Sequence, residues 1–233
     1  RPFFAKRMAY LPIRTVARKE AVMIAEFYVT MHALASSVRE DLPIDKQIIA
    51  LAAQARENLP DDTYPAMMYD FVWKKFQSGI SWEATRDSIY KRYQVNQQDG
   101  YDITSRKLHC NGCFAAGINF AAGLVSLFYG KGDIKETVKI GTLTGWDADN
   151  PTATWGGLLG FMMGIEEVEK AFGEKLSHQY HIHRTRIHFA NEGLDDFESM
   201  SEKGISIVNL VVLNHLGGRI DEKHDNWIIP RQI

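Results

Sequence analysis

A chain of 233 residues can form one large domain or two small ones, and it can bury a substantial core. Its 45% hydrophobic and 24% charged content is ordinary for a globular protein, and 27 basic against 29 acidic residues leave a net charge of -2, which favours neither a nucleic acid nor a membrane surface as partner. The longest apolar run, residues 114–129, is too short to span a bilayer and contains Asn119 and Ser126.

The chain opens on Arg-Pro rather than Met and shows no leader, so the expectation is that an upstream portion has been removed or left out. From residue 17 to 38, Val22, Ala25, Glu26, Val29, Ala33 and Leu34 recur at helical spacing. Glu20 and Glu26 interrupt this apolar stretch, and Arg14 or Arg18 is the expected ion-pair partner. Residues 44–58 repeat the helical pattern between Pro43 and Pro60. A Met- and aromatic-rich helix follows over 64–77, and Gly79 ends it. Ser81 then caps a helix over 82–93. Residues 94–107 are polar and aperiodic, a loop.

Next comes "HCNGC", residues 109–113. One C-x-x-C with no second pair makes a structural zinc site improbable, so the cysteines read as buried packing residues. Two cysteines form no disulfide framework, and a reducing, cytoplasmic location is mildly favoured over a secreted one. The apolar helix over 114–129 carries small residues at Ala115, Gly117, Ala121, Ala122 and Gly123, which permit close helix approach. "GDIKETVKIG" opens with a capping box, Asp133 as N-cap and Glu136 three residues on. A small-residue helix is expected over 151–164 and a final amphipathic helix over 194–216, closed by Gly217 and Gly218. Between them, "SHQYHIHRTRIHF" holds His178, His181, His183 and His188 in a strand or irregular loop. Without a nearby acid or thiol, these histidines read as a solvated patch rather than a metal site. No other strand pattern and no repeat is visible; a single all-α domain over 1–233 is the expected architecture.

The chemistry concentrates in "TGWDADNPTATWGGLLGFMMG". If Asp147 and Asp149 lie on an extended segment, residues two apart point the same way and the carboxylates converge. Each would then raise the other's pKa unless a cation sits between them, and an oxygen-only site favours Mg²⁺. The competing reading is two exposed acids ahead of a helix dipole. Asn150, followed by Pro151 at the first helical position, is either the N-cap or a third ligand. Trp146 is a candidate stacking surface for a base or sugar, whereas Trp155 reads equally well as core. Thr152 is a candidate substrate contact, although first-turn threonines commonly bond the local backbone. Asn119 and His109 stand close enough in sequence to the apolar helix that leads to this turn to be candidates for substrate contact as well as for structural roles.

"SLFYGKGDIKETVKIGTLTGWDADNPTATWGGLLGFMMG" resembles the signature region of the ADP-ribosylglycohydrolase family, strongly over residues 108–164 and more weakly on either side. The resemblance implies an all-α fold of that type, here lacking its N-terminal portion, with a tail extension over 177–233. It also implies a binuclear Mg²⁺ site that binds a ribosyl unit through its hydroxyls, where water cleaves the C1″ glycosidic bond of ADP-ribose attached to a side chain. Asp147 and Asp149 match two of the family's carboxylate ligands. Asn150 stands where the family has Thr, Ser or Cys, and the family's Thr/Ser-Asp-Asp motif is not found; "LPDDT" at 59–63 reads as a turn leading into a helix. A companion N-terminal segment or chain would then supply the rest of the site, general acid and base included. Two alternatives stand beside this reading: a non-catalytic relative that binds or builds, and a metal hydrolase for another nucleoside- or sugar-like substrate.

Overall fold

The computed structural model describes residues 1–37, 41–102, 110, 112–182 and 188–230. The chain divides into two compact units, Arg1–Gly173 and Glu174–Ile233, where the sequence suggests one domain with a tail from residue 177. The described residues are dominated by α-helix, with strand confined to two short ribbons.

In the first unit the helices are α1 (Pro2–Val16), α2 (Glu20–Ala35), α3 (Ile44–Arg56), α4 (Tyr64–Gln77), α5 (Trp82–Ile89), α6 (Ala116–Gly130), α7 (Ile134–Thr144), α8 (Asp149–Met163) and α9 (Ile165–Phe172). Helix α1 has no counterpart in the sequence reading, because Pro12 sits inside it and Phe3, Leu11 and Val16 all face solvent, leaving no clean apolar stripe. The helix expected over 17–38 starts later, at Glu20; residue 38 lies outside the described residues. Arg14 of α1 pairs with Glu26 of α2 at 3.0 Å, the ion pair expected for that glutamate. Helix α4 has the predicted bounds. Helix α5 ends at Ile89 and passes into a π-helical turn, Tyr90–Val95, which runs two residues past the predicted span and into the predicted loop.

Helix α6 is the axis of this unit. Nearly every residue from Gly117 to Gly130 is buried, and α2, α4, α5, α7 and α8 all pack on it. Glycine costs a helix interior roughly 1 kcal/mol relative to alanine. At Gly123 a Cβ would lie 3.4 Å from Trp155 Nε1 and 3.5 Å from the Tyr28 hydroxyl, so the bare backbone admits a fully buried Trp155. Burying one large apolar side chain is worth about 1.5–3 kcal/mol, which outweighs the glycine. At Gly130 a Cβ would meet the Thr137 backbone at 2.8 Å, which fixes how closely α6 and α7 approach. Lys131 and Gly132, both left-handed, make the turn between them.

The second unit pairs β1 (Gln179–His181) with β2 (Leu194–Asp196), then runs through α10 (Phe197–His215) into a ribbon of β3 (Arg219–Asp221) and β4 (Asn226–Ile228). Asp196 caps α10 by accepting from Ser199 N at 2.7 Å, so the helix begins three residues later than expected. The β3–β4 ribbon has no signature in the sequence, because each strand is three residues long, too short for alternation to register. His181 ends β1 and is exposed, as is His178; His183 lies outside the described residues.

Candidate functional site

The acidic stretch is a turn, not an extended segment. Helix α7 ends at Gly145 (φ 96°), Trp146 adopts a left-handed backbone (φ 56°), and Ala148 is already in the right-handed helical region as N-cap of α8. Asp149 is the first helical residue, Asn150 the second and Pro151 the third. Two corrections follow. Asn150 is not the N-cap; its backbone N–H donates to the Asp147 carbonyl at 3.0 Å, and its side chain is exposed. The two aspartates converge across the bend that leads into α8, one on each side of its N-cap, rather than through strand alternation.

They converge nonetheless. The carboxylates stand within hydrogen-bonding reach of each other, and the Asp147 pKa is raised above the ordinary aspartate range by partial burial first and by Asp149 second. Asp149 itself is exposed, the first residue of α8. Among the described residues, no group of three His, Cys, Asp or Glu side chains gathers around a common point, so the pair stands without a third such ligand. A cation fits this donor set in one respect: it would relieve the repulsion that raises Asp147.

The turn is held from below. Asn119, buried in the first turn of α6, accepts from the Asp147 backbone N–H at 3.1 Å. Its amide nitrogen donates to the carbonyls of Cys113 (2.7 Å) and Ala115 (3.0 Å). Both ends of the amide are therefore occupied, and Asn119 positions the turn rather than presenting itself to a ligand. A left-handed tryptophan costs about 1–3 kcal/mol, so Trp146 needs an anchor. Its indole N–H donates to Gln94 Oε1, and the ring leans on the core. The Thr152 hydroxyl lies 2.9 Å from the carbonyls of both Ala148 and Asp149, and its methyl faces Gly141 of α7. That is the local-backbone role open to a first-turn threonine. Trp155 is core, donating to the Gly123 carbonyl at 2.8 Å. His109 lies outside the described residues.

The cysteines depart furthest from expectation. Cys110 and Cys113 are joined in a disulfide, with Cα atoms 5.4 Å apart. Cys110 is exposed and Cys113 partly buried, so neither is a core packing residue. Left-handed backbone at Cys110 and Gly112 makes the turn tight enough to close the ring. The pairing also removes the free-thiol argument for a reducing compartment. No helix among the described residues is long and apolar enough to cross a membrane.

A cavity of about 550 Å³ opens at the same end of α6. Phe114, Ala115 and Gly117 form one wall; Tyr64, Tyr101, the cations Arg18 and Lys19 and the acids Glu20 and Asp102 are among the residues of the rest. Burial, with the charge of Glu20 behind it, pushes the Tyr64 hydroxyl far above its usual range. The cavity is joined to the turn through Ala115, whose carbonyl holds the Asn119 amide. A second, apolar groove of about 620 Å³ runs along α1 past Phe3, Met8 and Leu11; its one carboxylate, Glu26, is held by Arg14.

Residues 7–202 match the family ADP-ribosylglycohydrolase, which spans α1 through the start of α10 and includes the whole acidic turn. The chain belongs to the ADP-ribosylglycohydrolase family. No curated protein and no solved structure is matched. Membership carries the general character of an ADP-ribosylglycohydrolase-type hydrolase, and an all-α fold is what the described residues of this family member display. Sequence reasoning singled out Asp147, Asp149 and Asn119 but missed Gln94 and Cys113, the supports of the turn. Nothing in the pattern of a polar loop and a lone C-x-x-C signals that Gln94 reaches Trp146 across 52 positions, or that Cys113, bonded to Asn119 six positions on, touches the turn through it.

Proposed function

We propose that this family member hydrolyses the glycosidic bond of a ribosyl unit, ADP-ribose on a protein side chain being the leading substrate, with Mg²⁺ held by Asp147 and Asp149. The observation that carries the reading is the pair of mutually reaching carboxylates, with Asp147 raised by burial and by its neighbour. Two like charges held so close by a turn anchored on Asn119 and Gln94 gain from a hard dication and lose without one. When bound, the cation supplies Lewis acidity to ribose hydroxyls and to a water.

The chain's own residues do the rest. Asn150, exposed beside the pair, is a third oxygen donor. Asn119 sets the direction in which Asp147 points. The adjoining cavity accepts the remainder of the substrate: Arg18 and Lys19 complement phosphates, and Tyr64 and Phe114 offer aromatic faces to a base. A second ion needs more ligands than this pair, and a companion segment or chain would bring them together with the general acid and base.

Calorimetric Mg²⁺ titration of the protein against Asp149→Ala, paired with release of ADP-ribose from modified arginine or serine peptides, tests this. Binding that disappears in the variant, together with release, supports the proposal. Binding equal in both proteins sinks the ligand assignment. Binding with no release from any peptide assigns the chain to a member that holds ribosyl compounds without cutting them, a reading favoured by the absence of a third acidic, His or Cys ligand among the described residues.

A further inference from the structure

The disulfide and the acidic turn are linked by one buried side chain. Cys113 lies at the end of the cross-linked turn, and its carbonyl accepts from Asn119 Nδ2 at 2.7 Å. The same amide, through Oδ1, accepts the Asp147 N–H at 3.1 Å. Asn119 is 5% exposed, so water cannot easily replace a lost partner at either end. The turn is also fastened to α6 by Ala115 N–H donating to the Gly112 carbonyl at 2.9 Å. Cys110, at the other end, is exposed and has a left-handed backbone (φ 54°), a conformation costly for a residue bearing a Cβ. The cross-link holds it there.

We infer that Cys110–Cys113 is a thiol–disulfide exchange site whose oxidised form holds Asp147 and Asp149 in their cation-binding arrangement. The inference rests on the reading of those aspartates as cation ligands. The reducing partner is a dithiol. Its thiolate attacks the exposed Cys110 sulfur, the bond to Cys113 breaks, and Cys113 leaves as a thiolate that takes up a proton. The reductant's second thiolate then attacks its own sulfur in the mixed disulfide and releases Cys110, which is protonated in turn. Two electrons and two protons reach the protein, and the reductant departs as a disulfide. Without the ring, Cys110 relaxes from its left-handed backbone and the Cys113 carbonyl loses its fixed place. Asn119 follows it, and the Asp147 amide loses its partner.

Linkage makes the coupling reciprocal: a cation that prefers the oxidised form makes the disulfide harder to reduce. A tenfold difference in affinity corresponds to a potential more negative by about 30 mV for a two-electron couple.

The test uses the whole chain, oxidised and after treatment with dithiothreitol, beside a Cys110→Ser/Cys113→Ser double variant checked for cooperative unfolding. Mg²⁺ affinity is measured by calorimetry, and hydrogen exchange of the Asp147 amide is measured with no metal present. The expected result is at least tenfold weaker Mg²⁺ binding and faster Asp147 exchange on reduction. The double variant should resemble the reduced protein and ignore dithiothreitol. Affinity and exchange both unchanged by reduction overturn the inference and leave the ligand assignment standing. Faster exchange with no Mg²⁺ bound in either state upholds the coupling of the disulfide to the turn and overturns its role in cation binding, together with the ligand assignment.

Discussion

Helices α7 and α8 both begin beside an aspartate, and each uses it differently. At α7, Asp133 Oδ1 accepts from the Glu136 N–H at 2.8 Å, while the Glu136 carboxylate takes Lys139 at 3.0 Å. That carboxylate is part of the helix. At α8 the N-cap is Ala148, no side chain caps the first turn, and two carboxylates face each other instead. A helix that leaves its cap to alanine, and sets two like charges together one residue apart, gives up local stability. The contrast teaches where to look: Asp133 satisfies its own backbone and is structural, whereas the acid pair, supported by distant side chains, has no such local use and is the pair we propose as cation ligands.

The comparison breaks most sharply at Asp149. Asp149→Ala is expected to lower Mg²⁺ affinity and hydrolysis by more than about 100-fold, exceeding what the loss of an outer support costs a metal site. Titration and product release check it, and a variant within threefold of the parent would erase the difference between the two helix starts. Asn119→Ala should come next, with affinity down about 10–100-fold and stability down about 1–3 kcal/mol, since the Asp147 N–H and the Cys113 carbonyl both lose a buried partner. Denaturant unfolding run beside the titration separates the two losses. Asp133→Ala should cost about 1 kcal/mol of stability and leave cation affinity where it was.

The smallest effect is in pH. Because the folded Asp147 holds its proton more tightly than an unfolded aspartate does, stability contributed at this position falls as pH rises from the ordinary aspartate range through the raised pKa. Asp196 has the opposite sign. Its cap bonds, chiefly from Ser199 N–H, hold its pKa below the ordinary range, so its contribution is present above that range and fades as pH falls through the lowered value. Unfolding followed against pH in Asp147→Asn and Asp196→Asn should show the two slopes removed in opposite directions.

The sequence made the capped helices legible. Asp133 and Ser81 carry their partners three residues away, so cap, helix and outcome are all local. The acid pair was legible for the same reason, although its geometry was not. Strand alternation brings two such carboxylates together and a regular helix does not, since residues two apart then face different ways; here Asp147 stays ahead of the helix, in a bend set by the positive φ of Gly145 and Trp146. Asn150 followed by Pro looks like a cap, yet the helix starts ahead of it because Ala148 already lies in the helical region. What could not be read was support from afar. Gln94 reaches Trp146 across 52 positions, and Cys113 reaches the turn only through Asn119. The disulfide was missed because a pair of cysteines three apart serves equally as ligand, packing or cross-link until the backbone between them is seen.

Helix α6 gives the first unit a single foundation for two duties. The first turn of this rod steadies the acids, and the remainder of its length is gripped on all sides by hydrocarbon. Because Asn119 is, among the described residues, the one side chain of this helix shown bonded to the turn, a shift of the helix at Gly123 or Phe128 is expected to reach Asp147 through that contact. Substitutions inside the core are therefore expected to alter cation affinity at the proposed site even where they touch neither aspartate.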